Sequence, residues 1–139
     1  MKHTKLFLLI LMMVVALQLG ACGPKPAATT EKVSPSTLEE IEGSELKRVI
    51  LTEKAAERIG VETAPASEMV VPYAAVIYDT EGNTWIYTSP APLTFVRAPI
   101  VIDHIDGDQA FLSQALESTD PIVTVGVAEI YGAETGVSK

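Results

Sequence analysis

Few side chains in this sequence could do chemistry, and their types and spacing limit what that chemistry is. The chain holds one cysteine, Cys22, two histidines, His3 and His104, and four methionines, Met1, Met12, Met13 and Met69. A soft-metal site needs several thioether, thiolate or imidazole ligands converging on one point. Beyond residue 22 only Met69 and His104 remain, so no such site is expected. Asp103-His104-Ile105-Asp106-Gly107-Asp108 sets carboxylates at alternate positions, a pattern that suits a hard cation, but it lacks the loop length and closing glutamate of a calcium-binding EF-hand. Its Asp and Gly residues read as a turn instead. Nucleophilic catalysis needs a base beside the nucleophile and an orienting third group. His104 is the one imidazole left to serve, with no strand–turn–helix serine elbow or phosphate-binding loop to partner it, and no two carboxylates are marked as an acid–base pair. The sequence therefore predicts neither an enzyme nor a metal protein. Aromatic residues offer another activity: Trp85 and Tyr87, beside Tyr78, are candidate partner contacts. Their shared face of a strand is also where a small domain would bury its largest side chains.

The thiol of Cys22 has a more specific reading. Lys2 and Lys5 precede an apolar run from Leu6 to Leu17, which is shorter than the ~20 residues a membrane-spanning helix needs. That order is a secretory signal. Leu19, Gly20 and Ala21 before the cysteine resemble the lipobox of bacterial lipoproteins. The resemblance implies removal of residues 1–21, a covalent diacylglycerol and acyl lipid on Cys22, no other cofactor, and a place in the cell envelope on the extracytoplasmic side of the membrane. With its one thiol lipidated the chain has neither a disulfide framework nor cysteine redox chemistry. Removing 21 of 139 residues leaves 118, enough for one small domain. Loss of Lys2 and Lys5 takes the formal charge from −8 to −10. An acidic chain without a basic run is not expected to bind nucleic acid.

Residues 22–45 are rich in Pro, Thr, Ser and Glu and are expected to be a flexible tether. Its reach is ~25 Å as a coil and ~75 Å when taut. Ser36 could cap a transient helix through Ile41. Residues 46–132 form the expected domain and 133–139 a C-terminal tail. Lys47–Leu51 reads as a strand, and Thr52 caps a helix from Glu53 to Ile59 that ends at Gly60. Ala55, Ala56 and Ile59 lie on that helix's inward face. Strands follow at Val61–Ala64, Met69–Val71, Tyr73–Tyr78 and Thr84–Thr88, with Asp79–Asn83 turning a hairpin. Ser89–Pro92 breaks the pattern. A long strand spans Thr94–Ile102, with Pro99 at an edge or bulge. His104–Asp108 is a turn, Gln109–Leu112 a short strand, Glu117–Pro121 another turn and Ile122–Gly126 the last strand. The fold class is mainly β with one short helix, α+β in type, built as a small antiparallel sheet or β-roll.

Three phrases carry a family resemblance: ILTEKAAERIGVETAPA (50–66), VPYAAVIYDTEGNTWIYTSPAPLTFVRAPIVI (71–102) and DPIVTVGVAEI (120–130). They resemble the periplasmic adaptor subunits, or membrane fusion proteins, of resistance-nodulation-division efflux pumps. The first phrase lies near the N-terminus of such proteins, and the others form the membrane-proximal domain that contacts the inner-membrane pump. Here Ala66 leads almost directly to Val71, where family members carry a barrel, a lipoyl-like domain and usually a helical hairpin. Near its end the chain has Ala115-Leu116 and Thr119-Asp120-Pro121 in place of the family's glycine pairs. The resemblance implies a non-catalytic accessory module whose partner is an efflux transporter or a full-length adaptor. An envelope lipoprotein with no transport role, or a shortened adaptor remnant, are the alternative expectations.

Overall fold

A computed structural model describes residues 34–136. Cys22 and its flanking Leu19, Gly20 and Ala21 lie outside the described residues, as does the segment 137–139. Among the described residues there are ten strands and two α-helices. They are β1 (Ser36–Glu40), β2 (Lys47–Leu51), α1 (Glu53–Ile59), β3 (Glu62–Ala64), β4 (Val70–Pro72), β5 (Ile77–Tyr78), β6 (Thr84–Ala91), β7 (Thr94–Ile100), β8 (Ile102–Asp106), β9 (Gln109–Leu112), β10 (Ile122–Val125) and α2 (Val127–Thr135). The protein is mainly β, with open antiparallel sheets and two short helices rather than the one expected.

Seven strands form the larger sheet, in the order β1-β2-β7-β6-β10-β3, with β5 beside β6. A smaller sheet has the order β4-β9-β8. Side chains alternate across a strand, so the larger sheet has two faces with separate cores. Val49, Leu51, Tyr87, Phe95 and Val123 point to one face, where Ala56 of α1 and Val127 and Ile130 of α2 cover them. Ile86, Ile100 and Ile122 point to the other, against Val71, Ala110 and Leu112 of the smaller sheet. The helices therefore lie on one side of the large sheet and the small sheet on the other.

Local signals place α1 where the sequence puts it. The Thr52 hydroxyl accepts from the Ala55 N–H at 3.2 Å, and Gly60, at φ +64°, donates its N–H to the carbonyls of Ala56 and Glu57. Only a residue without a Cβ takes that left-handed conformation at no cost. Thr52→Ala is expected to destabilise the domain by about 1 kcal/mol through loss of the cap, read as a lower urea midpoint with an unchanged slope.

Several expectations are corrected. Residues 36–40 are neither tether nor helix: β1 pairs antiparallel with β2, Ser36 opposite Leu51 and Glu40 opposite Lys47, with Glu39 and Arg48 3.1 Å apart. Of the tether expected over residues 22–45, residues 22–33 lie outside the described residues. Tyr73–Ala75 is a 3₁₀ turn, so the strand expected there is reduced to β5. The hairpin around Asp79–Asn83 is present, with Ile77 opposite Trp85. Strand β6 continues through Ser89 and Pro90 to Ala91 because a register shift between Thr88 and Ala91 absorbs the irregular residues. Pro99 pairs with Trp85 on one side, whereas the β2–β7 ladder ends at Val96, so the proline sits where that edge of β7 is no longer paired with β2.

His104 is in a strand rather than a turn. The turn is confined to Gly107 and Asp108 between Asp106 and its partner Gln109, and a bulge between Ile102 and His104 accommodates the extra residue. The tail expected from residue 133 is helical through Thr135, since α2 begins after Gly126 and docks on the sheet. Gly126 is at φ +85°, so the backbone favours glycine at the strand-to-helix junction, and a Cβ there would lie 3.2 Å from Val61 Cγ2 and ask that side chain to give.

Candidate functional site

The polar side chains that the fold brings together lie under α2. Tyr87 and Arg97 are cross-strand neighbours on β6 and β7, and α2 lowers Glu134 onto both. The Tyr87 hydroxyl donates to Glu134 Oε2, and Arg97 Nε donates to the same carboxylate at 2.9–3.0 Å. Glu134 keeps 4% of its side-chain surface and Arg97 16%, so the pair is largely removed from water and each member depends on the other. Arg97 also lies 4.8 Å over the Trp85 ring and 5.7 Å from that of Tyr131, a favourable cation–π arrangement. Trp85 in turn donates its indole N–H to Asp79 Oδ2 at 2.9 Å. One chain of contacts thus runs from the β5–β6 turn to the last turn of α2.

The electrostatics follow from this geometry. Burial first, and then the hydrogen bond to Glu134, hold the Tyr87 hydroxyl proton far more tightly than in a free tyrosine. Asp79 accepts from the Asn83 side chain, the Trp85 indole and the backbone N–H groups of Glu81 and Asn83. These bonds, the Asn83 side chain foremost, lower its pKa from 3.8 to about 2. A carboxyl depressed in the folded state adds stability above its unfolded pKa and loses it as pH falls through the folded one. Asp79→Asn is therefore expected to be less stable than the parent at neutral pH, with the gap closing between pH 4 and 2. Urea midpoints measured across that range check this, and a constant gap would contradict it.

Chemically, the cluster holds a proton on Tyr87 and a neutralised ion pair, with no imidazole in contact among the described residues. It acts as a clamp fastening α2 to the sheet. His104 lies elsewhere, on the small sheet, stacked on Phe111 at 4.5 Å and 2.8 Å from Asp103. Met69 is exposed just before β4. Among the described residues no group of three or more His, Cys, Asp or Glu could hold a metal ion, and no helix is long and apolar enough to cross a membrane. Of the two aromatic contact candidates, Tyr87 is fully buried and Trp85 partly so, and both pack in the helix-covered core. That burial removes Tyr87 from any surface for partners and leaves Trp85 partly exposed.

A second feature is an open groove of about 630 Å³ between β7 and the loop from β9 to β10, lined by Thr88, residues 96–101 and residues 114–120. No family model, no curated protein and no solved structure matches this chain. The sequence singled out neither feature. Arg97 could have been noticed as a charge inside an apolar strand, and Glu134 as a residue three positions after Tyr131, on the same helical face.

Proposed function

We propose that this chain is a membrane-anchored lipoprotein whose β domain is a non-catalytic binding module associated with an efflux transporter on the extracytoplasmic side of the membrane. The observation that carries this reading is the resemblance of three separated phrases to efflux-pump adaptors, taken with where those phrases lie. Residues 50–66 supply the end of β2, α1 and β3, residues 71–102 most of β4, then β5 to β7 and the first residue of β8, and residues 120–130 β10 and the start of α2; all three phrases contribute to the helix-covered core, while Val71 and Ile102 lie in the smaller sheet. Segments that are far apart in an adaptor here share one core without the intervening barrel, lipoyl and hairpin parts. Lipid on Cys22 would hold the module beside membrane-embedded partners and raise its local concentration there.

The test is crosslinking of the tagged protein in living cells, followed by mass spectrometry of what co-purifies, with Cys22→Ala as the unanchored control. Recovery of an efflux transporter or full-length adaptor that is lost in the control is the expected result. Recovery of abundant envelope proteins alone would replace this reading with that of a structural lipoprotein.

A further inference from the structure

We infer that the groove between β7 and the 113–121 loop docks an extended cationic segment of the partner protein. The walls are fixed before any partner arrives. The loop is fastened beside β7 by the Ser113 N–H to the Val101 carbonyl (2.9 Å), at its middle by the Leu116 N–H to the Glu68 carbonyl (2.9 Å), and beside β6 by the Ser89 N–H to the Pro121 carbonyl (2.8 Å). Because binding need not order the loop, the conformational cost of docking is small. The floor is apolar: Ala98, Ile100 and Leu116 belong to or pack against the second core, and Val101 at the rim is 50% exposed.

Charge selects the occupant. Glu117 and Asp120 line the groove, and neither side chain has an ion pair or hydrogen-bond partner among the described residues. Arg97 is the one basic residue in the lining, and its guanidinium is committed to Glu134 on the opposite face of the sheet. An anionic lipid headgroup would meet two uncompensated carboxylates and be repelled. A lysine or arginine beside an apolar side chain meets both the acids and the floor. Residues 96–101 along the groove, five of them in β7, span about 20 Å, a length that suits an extended segment of similar size.

This inference rests on the binding-module reading and names its surface and the chemistry of its partner, and its test is separable. The full chain in non-ionic detergent is titrated with a fluorescent hexapeptide, acetyl-Lys-Val-Lys-Val-Lys-Val-amide, and with its counterpart carrying Glu for Lys. The lysine peptide is expected to bind, several-fold more weakly at ~0.2 M salt than at low salt. Glu117→Gln combined with Asp120→Asn is expected to weaken it about five- to tenfold, while Glu53→Gln with Glu57→Gln on α1 leaves it unchanged. No binding, equal binding of the glutamate peptide, or full binding by the groove variant would overturn the inference. Peptide binding without a transporter in the cellular crosslinking would keep the groove and remove the transporter. A transporter recovered equally well by the groove variant would do the reverse.

Discussion

Replacing Glu134 by alanine is expected to cost the fold about 3–5 kcal/mol, because it strands two groups at once. Arg97 would keep a charge that is mostly out of water, and the Tyr87 hydroxyl would lose its acceptor inside the core. Domains of this size have a total stability on the order of 5–15 kcal/mol, so the loss takes a large part of it. The result separates a clamp from a merely polar contact when a second variant is added. Glu134→Leu combined with Arg97→Met removes both charges and fills their space with apolar atoms, which is often close to neutral for a buried pair. The double variant is therefore expected to be more stable than Glu134→Ala. Trp85, the one tryptophan of the chain, lies over Arg97 and reports unfolding in urea directly. A single-variant loss below ~1 kcal/mol, or a double variant no better than the single, would contradict the clamp.

The clamp also marks where sequence reasoning succeeds and where it stops. Helix α1 and the hairpin at Asp79–Asn83 are legible because their signals are local: a hydroxyl cap at Thr52, a left-handed Gly60, and a turn whose Asp79 carboxylate binds the backbone two and four residues on. Strand β1 is not, since Ser36–Glu40 carries a helix-like cap and early acids and leaves almost all of its side chains exposed. It is a strand because the backbone of β2 offers it a ladder and Arg48 offers Glu39 a partner, both supplied from outside the segment, and such tertiary context overrides local propensity. Helix α2 was partly legible. Val127, Ile130, Tyr131 and Glu134 fall at i, i+3, i+4 and i+7, a helical face. The pattern is hidden because its fourth position is a glutamate, whose reason for pointing inward is Arg97 on a strand 37 residues away. For Trp85 and Tyr87 strand alternation identifies the shared face, and burial of Tyr87 under α2 decides what that face is for.

The largest functional effect is expected from Cys22→Ala, a substitution outside the described residues 34–136. If the proposed lipid on Cys22 is the anchor, the variant is expected to leave the membrane fraction; among residues 34–136 no helix is long and apolar enough to span a bilayer. A single acyl chain gives only marginal membrane binding and stable anchoring takes more than one, which is what a diacylglyceryl, acylated cysteine supplies. Tethering raises the effective concentration of a module at its partner enough to change overall avidity by 10²–10⁴-fold. A groove with two unpaired carboxylates is a weak binding surface by itself, so nearly all of the occupancy at a membrane partner would come from the anchor. Crosslinking to that partner is accordingly expected to fall at least about tenfold in Cys22→Ala cells at equal protein level, with the urea midpoint of the domain unchanged. Membrane fractionation and denaturation of the same variant measure the two halves of this expectation. Retention in the membrane fraction would contradict the proposed lipid on Cys22 as the anchor.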